Sequence, residues 1–385
     1  MPIDSNEATS LLSGLVAVES TNPWLLEGAA GEAAVARYIS DWLAKSGISA
    51  QTEEVLPGRS NVVARLGGTG GGQILCLNAH VDTVGLAGWP DQALRPRIEG
   101  DRLYGLGAAD DKGQCVAALL ALKSAMSWKR PLSGEVIVAF TVDEEGASKG
   151  TEHLVTRHKA NAAIVLEPVG LGSIVVSHQG FGWVDVVVHG VAAHGSEPEK
   201  GVDAIVQMAE VIQRLHRLDV ERFARSPHRL NGKTVFHTGT IRGGTDYATY
   251  PSACVVGLEI GTQPGETMRD RTRDIEAILE GIREVIPTFK AEFNVKLEHE
   301  PFEAQGHEVL LGGLSEAIEE VLGRTPTQTG LNAWTDSALM QTAGIPTLMI
   351  GARGGNLHAP DEWVSLTEVV QLAQILEHVM LRYCH

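Results

Sequence analysis

Apolar runs alternate with helix-patterned segments along the first half of this chain: ILCLNAHV, then CVAALLALKSAMSW, then EVIVAF, a helix over 148–159, and AAIVLEP. That alternation predicts an α/β fold with a mixed, largely parallel sheet and helices on both faces. At 385 residues the chain exceeds what one core usually serves, so two domains are expected. The pattern changes near residue 178. From there the chain reads as strand (181–190), helix (200–217), two strands (234–242 and 252–260), helix (266–285) and strand (289–298). This is an inserted βαββαβ domain over 178–298. Residues 1–177 and 299–385 then form one discontinuous domain, which resumes with GIPTLMIG as a buried strand and closes on a long helix.

Five phrases carry imidazoles or carboxylates: LNAHVDT, GLGAADDKG, TVDEEG, VLEPVG and NLHAPDEW. They fall at strand ends, where open α/β sheets place their ligands. His80 and Asp82 are two apart and leave the same face of an extended strand, so the imidazole can bind a metal while Asp82 orients it. Asp110 and Asp111 sit in a glycine-flanked loop before a helix, where a capping aspartate is the ordinary alternative. Glu144 and Glu145 are adjacent, and on an extended segment neighbours point to opposite sides. One can ligate a metal while the other faces a water; a solvated acidic turn is the alternative. Glu167 ends AAIVL before Pro168, and His358 lies in a loop beyond GIPTLMIG. Singly, each residue has an unremarkable explanation. Jointly they supply five potential metal ligands and a spare glutamate, the parts of a two-metal hydrolase.

A net charge of −17 argues against nucleic acid or an anionic membrane as partner, since both demand basic patches. The N-terminal stretch has no basic leader or sustained apolar run, so a cytoplasmic location is expected. Cys76, Cys115, Cys254 and Cys384 show no paired spacing, which predicts neither disulfides nor a thiolate metal site. GGTGGG at 67–72 precedes a strand rather than a helix and lacks a following GK[ST], so it is no phosphate cradle.

These phrases together resemble the co-catalytic zinc amidohydrolases and peptidases that include acetylornithine deacetylase, succinyl-diaminopimelate desuccinylase, aminoacylase and glutamate carboxypeptidase. The resemblance implies two divalent ions per chain, zinc with cobalt or manganese able to substitute. It places His80, Asp110 and Glu167 on one ion and Asp110, Glu145 and His358 on the other, with Asp110 bridging. It makes Glu144 the general base and Asp82 the orienting carboxylate. HGVAAHGSEPEKGVDAI resembles a family phrase whose second histidine, here His194, serves the active site of the partner subunit, which implies a homodimer formed through the inserted lid domain.

The chain departs from the family in the insertion. Gly261 stands where an arginine is usual and Ala248 where an asparagine is usual. A bidentate hold on a substrate carboxylate needs a guanidinium, which glycine cannot supply. Arg353 and Arg242 are the candidates to replace it. The expected function is metal-dependent hydrolysis of an amide in a small N-acylated amino acid or related compound. A dipeptidase or glutamate-type carboxypeptidase would use the same site. A carbamoyl-amino-acid hydrolase fits less well, because that branch has histidine at the position of Glu167. A non-catalytic binding protein would be expected to have lost a ligand or the base, and none is lost.

Overall fold

The computed structural model describes residues 3–85, 88–89, 92–128 and 131–385. The chain forms two compact units. One comprises the residues up to Val176, Ala304–Gln328 and Leu339–His385; the other comprises Ser177–Glu303 and Thr329–Ala338.

The first unit is built on a mixed sheet in the order Ala50–Leu56, Arg59–Gly67, Glu135–Thr141, Ile74–His80, Ala162–Leu166, Thr347–Ile350 and Ser173–His178. Its centre is parallel, from Glu135–Thr141 through Ile74–His80 and Ala162–Leu166 to Thr347–Ile350. The flanking pairs are antiparallel. The central strand Ile74–His80 is buried along nearly its whole length, the mark of a sheet covered on both faces. On one face Val63, Cys76, Ile137, Ala139, Ala163 and Val165 pack with Leu154, Met340 and Ile345. On the other, helix Gly113–Ala125 packs on the sheet and against helices Leu366–Tyr383 and Ser5–Val16. That position explains its composition: every residue of the helix except Lys123 is buried, and Lys123 reaches Glu7 at 2.6 Å. All four cysteines are free and buried. Burial pushes the Cys76 thiol up to about 12, so it serves as core rather than as a nucleophile.

A small sheet of Gly354–Gly355, Trp363–Ser365, Arg102–Tyr104 and Arg97–Glu99 went unforeseen. Strands of two or three residues carry too little periodicity to be read from sequence.

The second unit has the element order strand Gly180–His189, helix Ala204–Glu221, strands Phe236–Gly243 and Ala253–Thr262, helix Met268–Arg283 and strand Lys290–His299. Its four strands are antiparallel, with Ala253–Thr262 and Gly180–His189 in the middle. Val184, Val186 and Val188 and, on the neighbour, Cys254, Val256, Leu258 and Ile260 follow the two-residue period of one buried face. Met208, Val211, Leu215, Ile275 and Leu279 of the two helices cover it. Asp203 caps the first helix through the amides of Ile205 and Val206, and Thr267 with Asp270 forms a capping box on the second. This unit also takes in Thr329–Ala338, which the sequence reading grouped with the other domain. Trp334 explains the difference: its ring stacks on His299 at 4.1 Å and its indole N–H donates to the Glu300 carbonyl.

His178, fully buried in this unit, packs on Phe302 and Trp334, and burial lowers its pKa to about 4. An unfolded chain holds the ordinary imidazole value near 6.5 and therefore takes up the proton first as pH falls. Stability drawn from neutral His178 is complete above about pH 7 and declines toward pH 4, by roughly 3 kcal/mol at most. The stability difference between wild type and His178→Gln, measured by urea unfolding, should shift against the wild type across that window. A difference independent of pH would refute this account. Among the described residues no helix is long and apolar enough to cross a membrane.

Candidate active site

Parallel pairing brings the chemistry-bearing phrases together, because strands that run the same way end on the same edge. His80 is the last residue of its strand and lies opposite Thr141, the last residue of the next. On its other side the register sets Asn78 opposite Val165, so Glu167, two residues on, falls beside His80. Ile350 pairs with Leu166, and the Glu167 amide donates to the Ile350 carbonyl at 3.2 Å. The residue that follows the strand is Gly351, where an added Cβ would lie 2.0 Å from the Glu167 carbonyl oxygen. Only glycine lets the chain leave the sheet this close to Glu167.

Asp110 follows Gly107, whose φ of 72° turns the chain toward the strand ends, and precedes helix Gly113–Ala125. It does not cap that helix: Lys112 is the N-cap residue and makes no side-chain cap. Instead Asp110 Oδ1 is 2.9 Å from His80 Nε2 and Oδ2 is 3.2 Å from His358 Nε2. His358 Nε2 lies 3.1 Å from Glu145 Oε1. Two triads result, His80–Asp110–Glu167 and Asp110–Glu145–His358, each with one ligand atom per residue within 4.8 Å of the others. Asp110 belongs to both, one oxygen toward each histidine.

Glu144 and Glu145 do not lie on an extended segment as the sequence reading assumed. The strand ends at Thr141, and the pair sits in a turn begun by Asp143 at φ 73°. Asp82 holds this turn: its carboxylate accepts the amides of Glu144 at 3.1 Å and Glu145 at 3.0 Å. The same carboxylate lies 3.4 Å from His80 Nδ1, whose closest partner is the Asp82 carbonyl at 3.1 Å. Asp82 in turn accepts from Asn22 at 2.7 Å. Behind it Arg59 bridges Glu32, Asp143 (2.8 Å) and Asn22 Oδ1 (3.2 Å). The sequence reading missed Asn22, Arg59 and Glu32; TNPW carries no spacing that ties it to LNAHVDT.

The electrostatics of the cluster favour a cation. Hydrogen bonds to Asp110 and Glu145 push His358 up to about 11. His80 also rises: burial opposes this, but its bonds to Asp110 and Asp82 override it. Asp110 is held low against its burial by the same two imidazoles, whereas burial and the charge of Asp110 raise Glu145. Burial raises Asp111 as well. So many carboxylates in one place draw protons onto the histidines, and a divalent ion answers the same demand. Glu145 Oε1 is buried and faces His358 Nε2 at 3.1 Å. Two sets of imidazole and carboxylate donors, each with its ligand atoms within 4.8 Å of one another, fit a metal of the zinc type.

The remaining sequence candidates belong to neither triad. His194, in the second unit, is exposed, its Nδ1 2.8 Å from Ser196 Oγ. Arg353 is already paired with a carboxylate, Glu368, at 3.3 Å, and its backbone amide donates to the same carboxylate at 2.9 Å. Arg242 is exposed on strand Phe236–Gly243. The place of the missing arginine is filled: a Cβ on Gly261 would lie 2.6 Å from Gln179 Oε1, which accepts the Val235 amide. Arg271, buried nearby, donates to the Gly261 carbonyl at 2.9 Å and is neutralised by Glu266 and Asp274.

A family model described as Peptidase family M20/M25/M40 matches residues 76–382. An acetylornithine deacetylase of Vibrio vulnificus (strain CMCP6) is 30% identical over 372 residues, 92% of each chain. A tripeptidase from Staphylococcus aureus subsp. aureus Mu50 has a similar fold, with a TM-score of 0.82 at 20% identity over 100% of both chains. The Bacillus subtilis YXEP protein, described as a dinuclear metal binding peptidase, has a TM-score of 0.71 at 18% identity, covering 98% of this chain and 99% of its own.

Proposed function

The chain belongs to peptidase family M20/M25/M40 and is a metal-dependent hydrolase of amide bonds, and from that premise we propose that it removes the acyl group from a small N-acylated amino acid or related amide. The observation that carries the reading is the convergence of both triads on Asp110, with Glu144 beside Glu145 in a turn held by Asp82. The acetylornithine deacetylase relative supports the substrate class.

His80, Asp110 and Glu167 would hold one divalent ion and Asp110, Glu145 and His358 a second, zinc or its substitutes cobalt and manganese. When bound, such ions polarise the amide carbonyl and bring the pKa of a water near 7. Glu144 would take a proton from the attacking water as the new C–O bond forms, and deliver it to the nitrogen as the C–N bond breaks. Asp82 keeps His80 oriented and the Glu144 turn in place. His194 of the partner subunit would donate to the carbonyl oxygen as it gains negative charge. Strand Phe236–Gly243 supports the homodimer this requires: it is an edge strand with nearly every residue exposed, Ile241 among them, and an open edge is a template for a second copy. If Arg353 anchors a substrate carboxylate, it must exchange Glu368 for it.

Purified protein should bind about two zinc or cobalt ions per chain and lose activity reversibly to a chelator. In a panel of N-acetyl, N-succinyl and N-formyl amino acids with dipeptides, turnover should favour the N-acyl amino acids. Activity confined to dipeptides would move the assignment to a dipeptidase. One ion per chain with full activity would remove the bridging role of Asp110.

A further inference from the structure

We propose that Glu362, which has no part in either triad, is a positioning residue that aims Asp110 at both. The inference rests on the metal-site reading above. Glu362 belongs to the phrase NLHAPDEW and is 1% exposed. Its Oε1 accepts the amides of Ala109 at 2.8 Å and Asp110 at 3.0 Å, and its Oε2 accepts the amide of Gly107 at 3.1 Å. Its own carbonyl accepts the Gly105 amide at 3.0 Å. Four N–H groups of one short segment therefore end on a single residue.

Asp110 has to hold an unusual posture. Its two oxygens face different histidines, so a small rotation of its backbone would satisfy one triad and spoil the other. Residues 108–112 do not supply that rigidity themselves: Asp110 and Asp111 leave helical geometry there, and although the amides of Ala108 and Lys112 reach the backbone carbonyls of Gly105 and Gly107, those of Ala109 and Asp110 end on Glu362. Glu362 supplies the acceptors from outside. It also couples the two loops: Glu362 lies four residues after His358, and the next residue, Trp363, pairs with Tyr104 at the start of the Asp110 segment. The carboxylate thus sets the distance between Asp110 and the loop that carries His358.

Cobalt(II) binding, followed by its visible absorption and by competition with a chelator, tests this without recourse to turnover. Glu362→Ala strands three buried amides and should weaken both ions by about 10- to 100-fold, the usual worth of a partner behind a metal ligand. Glu362→Asp keeps the charge but falls one methylene short, and should lose at least about 10-fold; it carries the test if the alanine variant does not fold. Glu362→Gln keeps an oxygen for Ala109 and Asp110 and should stay within about threefold of wild type. At saturating cobalt, KM should remain at the wild-type value while kcat falls in the alanine and aspartate variants. A lower melting temperature with wild-type cobalt affinity and spectrum in both would make Glu362 merely structural and overturn the proposal. Should wild type itself fail to bind two ions, the site reading falls and this proposal with it; two ions bound with wild-type affinity in both variants would remove Glu362 alone.

Discussion

Glu144→Gln should lower kcat by about 10²- to 10⁴-fold, the usual contribution of a general base, and still bind two ions per chain. The reasoning follows from the turn. Glu145 points its buried oxygen at His358, whereas neither candidate triad includes Glu144. Glutamine preserves the shape and the backbone bond to Asp82 but cannot accept the proton. Glu145→Ala should behave differently, weakening one ion by more than the 10- to 100-fold typical of an outer partner, because it deletes a ligand. Added metal should then recover part of the activity in Glu145→Ala and none in Glu144→Gln. Equal metal loss in the two variants would show the pair assigned the wrong way round.

The second large effect concerns His194. His194→Ala alone should cost about 10²- to 10³-fold in kcat, as loss of an oxyanion donor does. Mixed with Glu144→Gln under conditions of subunit exchange, two nearly inactive proteins should recover about a quarter of wild-type activity. Half of randomly assorted dimers are heterodimers, and each has one site with Glu144 on its own chain and His194 of the partner subunit. Exchange demonstrated by mass-labelled subunits without any recovery would exclude a histidine shared across the dimer. The wild-type position of His194, exposed and bonded to Ser196 Oγ, leaves it accessible for such use.

What the sequence determined by itself was local in origin. Apolar runs and helix periods lie within a segment, so the central strands, the long closing helix and the βαββαβ element order of the second unit were legible from it. The residue types capable of ligation were legible too, because His80 and Glu167 end apolar runs or follow them directly and Asp110, Glu145 and His358 lie in short phrases rich in imidazole and carboxylate. Their meeting point needed the parallel register, which sets His80, Thr141 and Glu167 on one edge. Tertiary structure alone decided the rest. That Asp110 divides its oxygens between two histidines, and that Glu144 and Glu145 diverge through a turn rather than through strand alternation, depends on long-range partners. Asn22 meets Asp82 across 60 residues and Glu362 meets Asp110 across 252. No periodicity within a segment reports such a contact, since its free energy is gained only after the chain has closed the loop between them. Gly261 shows the same limit: the missing guanidinium was visible in the sequence, but the Gln179 side chain that occupies its place comes from another strand's start, brought there by the pairing of Gly261 with Phe181.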